Sequence, residues 1–129
     1  MEKEFIPYEQ ALALKELGFD IQCFAYWNGN KELDHSMRER IVETSNYNKG
    51  VCISAPFYQQ AFRWFREKYG LIGCVDPIYK DESRTAFNYW FFIADYEQTE
   101  EEDDLSFGAY EEAELACLRK LIEIVKTNK

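Results

Sequence analysis

Three segments of this chain carry apolar residues at helical spacing, and each opens on the same four-residue phrase, Y-[EQ]-[EQ]-A. The copies are Tyr8-Glu9-Gln10-Ala11, Tyr58-Gln59-Gln60-Ala61 and Tyr110-Glu111-Glu112-Ala113. Tyr and Ala, three apart, share the inward side of a first helical turn, while the acids or amides between them meet solvent near the positive end of the helix dipole. The first helix is expected over residues 7–17. Pro7 suits its first position, where a missing N–H costs nothing, and Ala11, Leu12, Leu14 and Leu17 form its apolar face. Gly18 supplies the left-handed stop, and Phe19 folds back on Leu14. The second helix, residues 56–69, lines up Tyr58, Phe62, Phe65 and Tyr69 on one stripe, is stopped by Gly70, and lets Leu71 cover Phe65. The third, residues 109–126, turns Ala113, Cys117, Leu121 and Ile124 inward, joined by Leu118, Ile122 and Val125. Its acids come first and Arg119, Lys120 and Lys126 later, which complements the dipole.

Strands fill the intervals. Residues 22–27 are rich in β-formers and run into Asn28-Gly29, a strong turn signal. Residues 71–79 and 86–94 form a second pair, split by the polar turn at 80–84, with Pro77 at an edge or a bulge. Residues 33–48 read two ways, as a helical turn through Leu33, Met37 and Ile41 or as a strand at 40–44 pairing back on 22–27. Residues 51–53 suit a short extra strand. Helix, glycine, large apolar residue, strand, turn, strand thus occurs twice. The expectation is one α+β domain over residues 1–129: an antiparallel sheet of about four strands with three helices packed on it, built as duplicated αββ units and a C-terminal helix. At 129 residues and 17% aromatic, the chain has the length and the bulky side chains for a real core.

The charge is concentrated. The chain carries 24 acids against 15 bases, a net charge of −9. Ten of the acids (Asp95, Glu97, Glu100, Glu101, Glu102, Asp103, Asp104, Glu111, Glu112 and Glu114) fall in residues 95–114, a window without Lys or Arg. The remainder is close to neutral. This balance disfavours a non-specific nucleic-acid binder, which needs clustered bases. The first residues show no basic region followed by an apolar stretch, so no secretory signal is expected. No apolar run approaches the ~20 residues of a membrane-spanning helix. Cys23, Cys52, Cys74 and Cys117 are too widely spaced for a zinc site and sit among apolar neighbours, as free thiols in a reducing cytoplasm do.

No constellation assembles a reaction. Asp34-His35-Ser36 holds the residue types of a hydrolase triad, but consecutive side chains diverge and cannot hydrogen-bond in series. The acids at 100–104 are contiguous, without the alternation and the sixth-position glycine of a calcium loop. Phe62-Arg63-Trp64-Phe65-Arg66 interleaves cations with aromatics, the composition that stacks bases, yet Phe62 and Phe65 belong to the core stripe and Arg63 can pair with Glu67. Trp64 lies partly outside that stripe and is a candidate partner anchor.

The helical segments F-I-P-Y-E-Q-A-L-A-L-K-E-L-G-F (5–19), A-P-F-Y-Q-Q-A-F-R-W-F-R-E-K-Y-G-L (55–71) and Y-E-E-A-E-L-A-C-L-R-K-L-I-E-I-V-K (110–126) resemble a group of small proteins carried by bacteriophages and by bacterial genomes with mobile elements. That likeness implies a compact scaffold with changeable connections, in a phage or mobile-element setting. It brings no catalytic residues with it. The leading expectation is a non-enzymatic cytoplasmic accessory protein, using no cofactor or metal, that binds another protein. Its candidate binding residues are Glu100, Glu101, Glu102, Asp103, Asp104 and Trp64. The alternative is an acidic nucleic-acid mimic that occupies the basic groove of a DNA-binding protein; a small enzyme ranks third. No direct nucleic-acid or membrane partner is expected, and the oligomeric state stays open.

Overall fold

The computed structural model describes residues 2–35, 45–79, 86–94, 99–101 and 106–128. Its elements run α1 (Tyr8–Glu16), β1 (Ala25–Trp27), β2 (Leu33–His35), β3 (Ile53–Ser54), α2 (Tyr58–Tyr69), β4 (Ile72–Tyr79), β5 (Ala86–Ala94), β6 (Thr99–Glu101) and α3 (Tyr110–Thr127). The class is α+β, as expected. The strands are divided between two antiparallel sheets, in the orders β2-β1-β3 and β4-β5-β6, where the sequence suggests one sheet of about four. Each central strand, β1 and β5, has both of its edges taken within its own sheet. The chain forms two compact units, residues 1–61 and 62–129.

All three helices begin on the tyrosine of the repeated phrase. The alanine N–H then makes the first i→i−4 bond onto the carbonyl before that tyrosine: Ala11 to Pro7 at 2.9 Å, Ala61 to Phe57 at 3.1 Å and Ala113 to Ala109 at 3.3 Å. These alanines are buried, at 1%, 0% and 0% exposure. The tyrosines diverge: Tyr58 is buried and Tyr8 half-buried, but Tyr110 is exposed. In α2 the third position closes one half of a capping box, since Gln60 Oε1 accepts the Phe57 N–H at 2.9 Å. Pro7 has no N–H to offer Gln10 in α1. Helix α1 ends in a Schellman motif. Gly18 adopts φ 93°, its N–H bonds Lys15 O at 3.0 Å, and the Phe19 N–H reaches Leu14 O at 2.9 Å. Gly70 ends α2 in the same left-handed region, φ 70°, with its N–H on Arg66 O at 3.1 Å.

In the first unit β1 pairs with β2 through Ala25–His35, Tyr26–Asp34 and Trp27–Leu33. The hairpin partner of β1 is therefore residues 33–35, while Ser45 makes an antiparallel bridge to Cys23 just before β1; the alternative strand at 40–44 lies outside the described residues. Phe5, Ala25 and Ala55 form a core cluster joined by Phe24, Trp27, Leu33 and Phe57, with the Phe5 and Phe57 rings stacked 4.5 Å apart. Polar groups are satisfied locally. Ser54, 1% exposed, accepts the Tyr47 N–H at 2.8 Å on its hydroxyl and donates its own N–H to Asn48 Oδ1 at 2.8 Å. Lys15 Nζ donates to Gly50 O at 2.8 Å and Cys52 O at 3.1 Å, fastening α1 to the turn before β3.

In the second unit β4 and β5 pair from Ile72–Ala94 to Ile78–Asn88; Tyr79 then faces Ala86, so the register skips Phe87. Pro77 thus lies on an edge strand one residue before an irregularity, where a residue without an N–H is tolerated. Helix α3 packs on β4 and β5. Contact is close at Gly73, where a Cβ would come within 2.8 Å of Cys117 Sγ and 3.2 Å of Leu121 Cδ1. Phe91, Ile93, Cys117, Leu118 and Leu121 are buried in this layer. Among the described residues no helix is long and apolar enough to cross a membrane.

Candidate functional site

Strand alternation sorts β4 and β5 into two faces. Gly73, Val75 and Pro77 pair with Ile93, Phe91 and Tyr89, and the contact of Gly73 with Cys117 identifies this as the α3 side. Ile72, Cys74, Asp76 and Ile78 pair with Ala94, Phe92, Trp90 and Asn88 and form the far face. Ile72 is 41% exposed and Ile78 36%, while Cys74, Asp76, Trp90 and Phe92 are half-buried. The Trp90 and Phe92 rings lie 5.4 Å apart at 34°. On β4 and β5 the far face is therefore mainly apolar and aromatic, with Asn88 opposite Ile78 and a carboxylate, Asp76, directly across from Trp90. On the other flank β6 sets Glu101 opposite Phe92 and Glu100 opposite Ile93.

The residues singled out from the sequence fall elsewhere or only at this margin. Glu100 and Glu101 are strand residues of β6; Glu102, Asp103 and Asp104 lie outside the described residues. Trp64 is not an exposed anchor. It is 6% exposed, edge-on to Phe65 at 5.1 Å and to Tyr69 at 5.4 Å, and covered by Lys68 Nζ at 5.0 Å from its ring. The buried face of α2 runs through Tyr58, Ala61, Trp64 and Phe65, rotated from the expected stripe, so that Phe62 and Tyr69 are only half-buried. Arg63 does pair with Glu67, at 2.9 Å. Asp34 and His35 are consecutive strand residues opposite Tyr26 and Ala25; the Asp34 carboxylate accepts from Asn28 Nδ2 at 3.0 Å and so holds the hairpin turn. Ser36 lies outside the described residues.

The buried thiols are poor nucleophiles. Burial pushes Cys23 up to about 12, against a weaker opposing effect of its hydrogen bond with Ser54. Burial, with Cys74 and Glu114 nearby, pushes Cys117 up to about 12, offset in part by a hydrogen bond to the Cys74 backbone. Both stay protonated near neutrality, and the thiolate is the reactive form. Among the described residues no group of three or more His, Cys, Asp or Glu is arranged to hold a metal ion.

The far face was missed from the sequence, although β5 carried a signal. Phe-Asn-Tyr-Trp-Phe-Phe-Ile (87–93) is aromatic or aliphatic on both alternating sets except at Asn88, close to the pattern of a strand covered on both faces. Within the unit α3 covers one of them. Comparison with known protein families, with characterised proteins and with solved structures gives no match.

Proposed function

We propose that this protein works by binding another protein, and that the far face of the second sheet is the surface it uses. The observation that carries this reading is the exposure of Ile72 and Ile78 around half-buried Trp90 and Phe92. A contiguous apolar patch with an aromatic centre has the composition of an interface core, where Trp and its neighbours contribute most of the binding energy. The role is binding without chemistry, in a reducing cytoplasm suited to four free cysteines. The resemblance of the three helices to phage and mobile-element proteins makes a bacterial host lysate the place to look for the partner.

The test is affinity capture with the wild-type chain beside Ile72→Lys and Ile78→Lys. Both side chains are exposed, so the variants keep the wild-type circular dichroism and unfolding midpoint. A protein captured by wild type and lost with both variants supports the reading; capture that both variants retain overturns it.

A further inference from the structure

We propose that the far face accepts an arginine from the partner, its guanidinium stacked on Trp90 and paired with Asp76. This rests on the reading of that face as a binding surface and names the chemistry of the partner. Asp76 and Trp90 are directly paired across β4 and β5, which sets their Cβ atoms about 4.5–5.5 Å apart on one face. Asp76 has Cys74 and Ile78 along its own strand and Phe92 and Asn88 diagonally across, and it lies within electrostatic reach of Tyr110. Among the described residues no Lys or Arg bridges to it, and the cations seated on aromatic rings lie over Tyr8, Trp64 and Tyr69 rather than Trp90.

A partner that covers Ile72, Ile78 and Phe92 also removes Asp76 from water. An unpaired carboxylate resists that desolvation, so a partner without a cation at this point is rejected and one that brings a cation is selected. Arginine fits better than lysine. Its planar, weakly hydrated guanidinium can lie on an indole while its edge donates two hydrogen bonds to a carboxylate. The flank has the matching sign, since β6 sets Glu100 and Glu101 opposite Ile93 and Phe92 of β5. The occupant is a protein segment with an arginine flanked by apolar side chains.

A displayed library of random peptides, panned against the full chain, supplies the probe. The account expects enriched peptides to share an arginine next to apolar residues. The best of them, made synthetically, should lose tenfold or more in affinity when the arginine is replaced by citrulline, and by a similar factor with Asp76→Asn. The citrulline exchange leaves the protein untouched, so that loss cannot arise from misfolding. Binding that Ile78→Lys abolishes but citrulline and Asp76→Asn leave unchanged overturns the arginine proposal while the binding face stands. Failure to enrich any peptide, or binding indifferent to Ile78→Lys, overturns both.

Discussion

Burial leaves Cys23 and Cys117 protonated far into the alkaline range, and this couples stability to pH. Each thiol titrates at about 12 in the folded chain against an ordinary value of 9.0. A group whose folded value is raised contributes stability that is fully present below its unfolded value and is lost as pH rises through the folded one. The unfolding free energy should therefore decline from pH 9 upward, and the decline should be shallower in the Cys23→Ala, Cys117→Ala double variant. Urea titrations at intervals from pH 8 to pH 10.5 measure this; equal slopes in the two proteins would contradict it. The burial of both thiols was legible from their apolar neighbours. What the sequence could not show was the partner of each: Ser54 for Cys23 is 31 positions away, and the Cys74 backbone reaches Cys117 across 43.

At the scale of the element, the repeated phrase is a packing device more than a tyrosine motif. Its alanine is buried in all three copies, where the first intrahelical bond closes, while its tyrosine ranges from 7% exposed at Tyr58 to 43% at Tyr110. Ala113→Leu forces added methylenes into the layer between α3 and the sheet and should cost about 1–3 kcal/mol. Tyr110→Ala removes an exposed ring edge-on to Tyr89 at 5.7 Å and should cost about 1 kcal/mol or less. Chemical denaturation of the two variants gives the ordering, and a larger loss at Tyr110 would refute the packing account. Helices and their stops were readable because caps, glycines and apolar spacing are local. β4 and β5 were readable because their paired runs are long, eight and nine residues. The division into two sheets was not, because it depends on which strand becomes central. The first strand of the first unit takes that place, with β2 and β3 beside it, whereas in the second unit it is the second strand, β5. The two αββ runs thus share an order of elements without sharing a sheet topology. Trp64 was misplaced for a similar reason: a stripe drawn from aromatics alone overlooks Ala61, whose small side chain marks the side of closest packing.

At the scale of the whole chain, a net charge of −9 is mostly the property of one window, and the fold sets part of that window next to an apolar sheet face. Sequence reasoning found the acids and missed the face, because β4 alternates exposed Ile72 and Ile78 with Gly73 and Pro77, residues that disguise its apolar character. The acids gain meaning from their neighbour. On the proposed reading, the acids that β6 sets beside β5 favour a cationic partner and speed its arrival, while the apolar patch holds it. The account's central claim is that this far face, and no helix surface, meets the partner. A photo-crosslinking residue placed at Ile78, and separately at exposed Glu123 on α3, tests it in bacterial cells. The account predicts one discrete adduct from position 78 and none from position 123. No adduct from position 78, or the same adducts from both positions, would contradict it.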